Sequence, residues 1–323
     1  MLSRRDALLG AFAGAVEIMR RGASAFAAAS QPSTPVAFTV PPGACDCHTH
    51  VFCDPRRFQF APARIYTPEP ASIDEMRALH RALHMARVVI VQPSVYGTDN
   101  SCTLDGIRQL GARARGVAVV DASTPNLALD EMHRAGIRGV RLNLATAGVT
   151  DPDVGRRRFT EMGQRLGGRP WHIQLNTDLA MIGALHAQFA ASTLPVVFDH
   201  FGGAQAALGT RQPGFDALTD LVRSGKAYVK ISGAYRSSTN GPDYADVAPL
   251  AKALIAANVQ RVLWGTDWPH PDSAQVPGRR ATDIAPLLQI DDGRVLNQLP
   301  LWAPEPATRK AILVDNPVRL YQF

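Results

Sequence analysis

The feature that most limits the fold of this chain is an alternation repeated along nearly its whole length. Short Val/Ile-rich runs alternate with amphipathic stretches of helical period, the pattern of βα units on a parallel sheet. The runs are 44–52, 87–94, 116–121, 139–144, 171–176, 195–200, 227–232 and 262–267. Helical candidates fall around 72–84, 101–114, 125–135, 153–167, 178–191, 214–224, 243–257 and 305–314. Eight strands matched by eight helices predict a single closed (β/α)8 TIM barrel over 44–323. A doubly wound open sheet is the alternative, but no G-x-G-x-x-G follows the first run. The connections 53–71 and 268–304 exceed what a barrel needs and are predicted to lie on its C-terminal face, where barrel enzymes bind substrate.

At that face the predicted strand ends are polar. The first run carries His48 and His50, the second Ser94, the fourth Arg141 and Asn143, and the fifth Gln174 and Asn176. The sixth ends in Asp199-His200, the seventh leads into Tyr235-Arg236, and the eighth ends in Asp267. So many polar groups at one end of a barrel would be costly to bury without partners, which points to an enzyme and not to a solute-binding protein. Strict alternation puts His48 and His50 on one face with Asp46, and Cys45 and Cys47 on the other, packed under helices. His172 reads as a core histidine, and Lys230 as half of a structural ion pair with Asp46 inside the barrel. Arg141 and Arg236 are the expected anion grips, since a guanidinium fork holds a carboxylate bidentately. Tyr66, Ser94 and Gln174 are expected to add neutral hydrogen bonds, whereas Arg56, Arg57 and Arg64 read as surface.

The H-x-H of the first strand, the histidine ending the sixth and the aspartate ending the eighth resemble the amidohydrolase superfamily. The phrases V-Q-P-S-V-Y-G-T-D-N, D-H-F-G-G, K-I-S-G-A-Y-R and W-G-T-D-W-P-H narrow the likeness. They resemble the branch holding 2-pyrone-4,6-dicarboxylate lactonase, 4-sulfomuconolactone hydrolase and galactarolactone isomerase. The resemblance implies hydrolysis of a carboxylate-bearing lactone, with Asp267 activating water and His48, His50 and His200 polarising the carbonyl. Metal-dependent relatives carry a lysine on strand four and a histidine ending strand five. Arg141, Asn143 and Gln174 stand there instead, so no two-metal centre is expected. The expected cofactor is none; the alternative is one divalent metal, zinc by its donors, on His48, His50, His200 and Asp267. Rival activities are a metal-dependent amidohydrolase or decarboxylase and a sugar-acid lactone isomerase.

Paired arginines ahead of the Gly/Ala-rich text of 1–30 resemble a twin-arginine export signal, with periplasmic localisation implied and cytoplasmic the alternative. A Pro-rich linker, 31–43, is expected to follow. The net charge is +6, of which the four arginines and two acids of 1–30 contribute +2, leaving +4. Without clustered basic runs this argues against a nucleic-acid partner and suits a small anionic molecule. No apolar run beyond the N-terminus is long enough for a membrane, and a homo-oligomer stays open. The four cysteines show no disulfide framework.

Overall fold

The computed structural model describes residues 29–273 and 277–323; the twin-arginine segment lies outside them. Eight parallel strands form one sheet in sequential order. They are β1 (Cys45–Thr49), β2 (Arg87–Val91), β3 (Ala114–Ala118), β4 (Ile137–Asn143), β5 (His172–Asn176), β6 (Val196–Phe198), β7 (Ala227–Ser232) and β8 (Val262–Gly265). The ring closes by Asp267 N–H donating to His48 O and His50 N–H to Trp268 O, both at 2.8 Å. The predicted barrel is therefore present, with β3 beginning two residues earlier than its sequence pattern suggested.

Helices α1 (Ile73–Ala82), α2 (Ser101–Leu110), α3 (Asn126–Ala135), α4 (Pro152–Leu166), α5 (Leu179–Ala184), α6 (Phe215–Arg223) and α7 (Ala248–Asn258) lie in the outer layer. Their starts follow local chemistry. Ser72 and Glu75 form a reciprocal capping box on α1, and Asp151 caps α4, which has Pro152 in its first turn. Among the described residues no helix is long and apolar enough to cross a membrane.

The apolar residues divide into two clusters. The larger fills the space between strands and helices. The smaller gathers Cys45, Cys47, Val89, Val91, Val117, Val197 and Leu263 with Tyr321 near the chain end. Cys45 and Cys47 thus belong to this second cluster and are not packed under the helices. Asp46 goes the other way, its carboxylate meeting His80 of α1 at 3.2 Å and the Thr266 hydroxyl at 2.7 Å. The cause is a register irregularity between Asp46 and Thr49 in the pairing of β1 with β2, which breaks strict alternation. Lys230 consequently has no ion pair with Asp46; its partner is Asp199, at 3.4 Å.

The loops over the C-terminal face are tied together. Thr67–Pro68 pairs in parallel with Ile284–Ala285, and Glu69 accepts from the Leu287 N–H at 3.0 Å. Cys53, in the loop after β1, is bonded to Cys102 of α2. This corrects the expectation that the four cysteines hold no disulfide; Cys45 and Cys47 remain free. The Pro-rich stretch is no loose linker. Ser33 and Thr34 hydroxyls donate to Asp291, and Trp268 Nε1 donates to Ser30 O at 3.0 Å.

Candidate active site

The two histidines of β1, the histidine after β6 and the aspartate after β8 meet in one buried cup. Nε2 of His50, His48 and His200 lie 3.4, 3.5 and 3.8 Å from the same oxygen, Oδ1 of Asp267. The backbone is bent to achieve this. Asp267 and His200 have φ of +68° and +45°, left-handed values that non-glycine residues adopt at a cost of about 1–2 kcal/mol each. Gly233, at φ +56°, leaves the space they need: a Cβ there would lie 3.0 Å from His200 Nδ1 and 3.2 Å from Asp267 Oδ2.

Outward contacts set the rings. His50 Nδ1 lies 2.8 Å from the Val91 carbonyl, which can only accept, so Nδ1 carries the hydrogen and Nε2 presents a lone pair to the cup. His48 Nδ1 meets both Asp199 Oδ1 and Lys230 Nζ at 3.2 Å. Lys230 can only donate, so a hydrogen bond from it needs a lone pair on Nδ1, whereas the contact with Asp199 would need Nδ1–H; the ring can serve either partner according to its tautomer. His48 Nε2 and Asp267 Oδ1 are both buried without a hydrogen-bond partner among the described residues, polar atoms left for a proton, a cation or a substrate to engage.

The charges around the cup fix its protonation. Burial works to raise the Asp267 pKa, yet the Arg236 guanidinium, then His200, His50 and His48, hold it well below the usual carboxylate range. Arg236 Nε binds Oδ2 closely, and the Tyr235 hydroxyl donates to the same oxygen at 2.6 Å. Burial lowers His200 to about 4 and holds His48 well below its ordinary value, so both rings are neutral at pH 7. Burial pushes Tyr66 up to about 12, which keeps it a phenol.

The space above the cup is small, about 30 Å³, and is bordered by His50, Tyr66, Ser94, Arg141, His200 and Arg236. Arg141 is 6% exposed and donates through Nε to Asp199 Oδ2 at 2.9 Å. Its two terminal nitrogens have no hydrogen-bond partner among the described residues. A wider cavity of about 810 Å³ adjoins the cup and shares Ser94, Arg141 and Thr146 with it.

The structure thus brings together His48, His50, His200, Asp267, Arg141, Arg236, Tyr66 and Ser94. Gln174 is the exception. It lies beneath the cup with its amide engaged by Lys230 at 2.7 Å and by Asp199 at 3.1 Å, so it supports the floor and does not face a substrate. Sequence reasoning passed over Tyr235, although it precedes Arg236 in the same phrase, and over the Asp199–Lys230 pair beneath His48. The Asp199-His200 dipeptide was the available signal for the latter.

The arrangement belongs to a known group of proteins. The family profile described as Amidohydrolase matches residues 45–323. The 4-sulfomuconolactone hydrolase of Hydrogenophaga intermedia is 34% identical over 295 residues, covering 89% of this chain and 91% of that one. The 2-pyrone-4,6-dicarboxylate hydrolase of Comamonas testosteroni is 35% identical over 303 residues, covering 90% and 94%. A Pseudomonas putida protein assigned as a 2-pyrone-4,6-dicarboxylic acid hydrolase, solved by crystallography, superposes with a TM-score of 0.72 at 32% identity, over 88% of this chain and 98% of that one.

Proposed function

The chain belongs to the amidohydrolase family, and from that premise we propose that it hydrolyses a lactone bearing an anionic group. The observation that carries the reading is the buried Oδ1 of Asp267 ringed by three imidazoles, beside a buried guanidinium, with neither Oδ1 nor the terminal guanidinium nitrogens partnered among the described residues. Asp267 Oδ1 takes a proton from water as its oxygen bonds to the lactone carbonyl carbon. His48 and His200, in the tautomers whose Nδ1 accepts from Lys230 and Ser232, present Nε2–H to the carbonyl oxygen as it gathers negative charge, and the His50 Nε2 lone pair faces the attacking water. Collapse breaks the ring C–O bond, and the proton on Asp267 passes to the leaving oxygen. Arg141 grips the substrate anion from the side. Oδ2 stays held by Tyr235 and Arg236, so the carboxylate presents one defined lone pair. A substrate anion that also draws on Arg236 restores basicity to Asp267 at the moment it is needed.

This reading needs no resident metal. A second reading is favoured by the close grouping of His48, His200 and Asp267, three buried side chains whose donor atoms could share one ion. The Nε2–Oδ1 separations of 3.5 and 3.8 Å for His48 and His200 are close to the edge of about 3.3 Å expected of a zinc tetrahedron with bonds of about 2.0–2.1 Å. His48, His200 and Asp267 would hold the ion, with His50 outside that group, and the ion would supply Lewis acidity for the carbonyl oxygen when bound. We propose export by the twin-arginine segment as well. The Cys53–Cys102 bond suits an oxidising compartment, and Ala29 and Ser30 pack into the fold, so a leader would end before them.

The test is turnover of carboxylated and sulfonated lactones in heavy-oxygen water. Hydrolysis places label in the new carboxylate, whereas isomerisation gives unlabelled product and would overturn the reading. Metal content by mass spectrometry, with rates before and after chelation, separates the two forms of the site.

A further inference from the structure

Lactone hydrolysis in the cup leaves the cavity of about 810 Å³ beside it without a role. That volume lies in the range of pockets holding whole drug-sized ligands, about 300–1,000 Å³, whereas the cup leaves about 30 Å³. The two spaces meet at Ser94, Arg141 and Thr146. Arg141 is the hinge of the argument. It is held by Asp199 through Nε alone, and its terminal nitrogens, with no partner among the described residues, sit where the spaces join. An anionic group clamped there has its ester carbon on one side and the open cavity on the other.

The cavity wall is largely apolar. Val120 follows β3, Leu142 lies in β4, Ala147 in the turn after it and Met162 on α4, while Ala63 and Ile65 come from the loop that also carries Tyr66. Asn143 lines the same space, and its Oδ1 is buried without a hydrogen-bond partner. Charged groups stand at the rim, Arg158 and Glu161 being exposed on α4. A small acidic lactone would satisfy Arg141 and leave this wall wet.

We infer that the cavity is a substituent subsite, and that the substrate is an acidic lactone carrying an apolar arm, aryl or alkyl, that runs past Arg141 against Leu142, Ala147 and Met162. This rests on the lactonase reading, since the arm is defined by a ring seated in the cup. A polar atom within the arm, of the kind a hydroxyl or ether supplies as donor or bridged acceptor, would meet Asn143.

The experiment compares 2-pyrone-6-carboxylate with its phenyl derivatives substituted at each free ring carbon, on the wild type and on Ala147→Phe, which fills the cavity from a residue outside the cup. At least one phenyl isomer should show kcat/KM raised about tenfold or more over the unsubstituted ring, the scale of added apolar contact in a pocket. Ala147→Phe should abolish that gain while changing the unsubstituted substrate less than about twofold, since Ala147 does not border the cup. Turnover of the plain ring with every phenyl isomer slower would overturn the subsite and leave the lactonase reading standing. A gain that survives Ala147→Phe would place the arm elsewhere and also overturn it. No turnover of any pyrone by the wild type counts against the lactonase reading itself. Calorimetric binding of the phenyl acids to Asp267→Asn then judges the subsite: tighter binding than the plain acid supports it, and equal or weaker binding overturns it.

Discussion

Replacing Lys230 by methionine tests the floor of the site. Lys230 is fully buried, with Nζ 2.7 Å from Gln174 Oε1 and 3.4 Å from Asp199 Oδ1. At an effective dielectric of about 20, opposite unit charges 3.4 Å apart attract by about 5 kcal/mol. Burying the ammonium works against this, and removal of one partner from a buried pair costs about 3–5 kcal/mol because the other charge is stranded. Methionine is close in volume, so little cavity is added. Lys230→Met should therefore lose about 3–4 kcal/mol in urea unfolding at pH 7. His48, which leans on the same carboxylate, should lose its setting, lowering kcat/KM about tenfold or more. Asp199→Asn alone leaves Lys230 and Arg141 as adjacent uncompensated cations and should cost a similar amount. The double variant should fall short of the sum by about 2 kcal/mol, the coupling of residues in one network. A Lys230→Met protein within about 1 kcal/mol of wild type, or strict additivity, would refute the claim that this pair holds the floor.

Three further outcomes are expected. Gly233→Ala forces a side chain into a left-handed position and within 3.0 Å of His200 Nδ1; kcat should fall about tenfold with a stability loss of about 1–2 kcal/mol, seen by kinetics and thermal melting. His172 is buried, and burial followed by the nearby Lys230 charge lowers it to about 3, against about 6.5 in the unfolded chain. The unfolded state therefore binds a proton that the native state refuses, and stability falls as pH drops from about 6.5 towards 3. His172→Asn should flatten that slope by about 1.4 kcal/mol per pH unit in urea titrations. Cys102→Ser opens a link between residues 49 apart and should cost about 2–4 kcal/mol, an effect that reductant reproduces in the wild type but not in the variant.

The barrel and most of the site were legible because both depend on features written locally. Apolar runs of strand length mark the sheet, and residues at their C-terminal ends become neighbours whatever their separation in sequence. Strand ends alone place His48, His50, His200 and Asp267 together, as the structure has them. Strand position fails where the physics is not local. The register irregularity in β1 sends Asp46 to His80 and Cys45 and Cys47 into the inner cluster, and nothing in Cys45–Thr49 marks it. The Lys230 partner was misassigned for the same reason, since parity on one strand cannot say which carboxylate lies across the barrel. Gln174 looked like a ligand contact by position, yet it sits one level down, where Lys230 and Asp199 engage both ends of its amide. Cys53 and Cys102 are joined only because the loop after β1 folds back over the start of α2, a tertiary outcome that spacing does not encode.

The central claim is that Asp267 Oδ1 removes the proton from water. Asp267→Asn keeps the shape of the group and leaves an oxygen for Tyr235 and Arg236, while abolishing the base. Single-turnover kinetics on an acidic lactone should show the chemical step slowed about a thousandfold, with substrate affinity changed only a few-fold. A chemical step that stays within a few-fold of wild type would contradict the account.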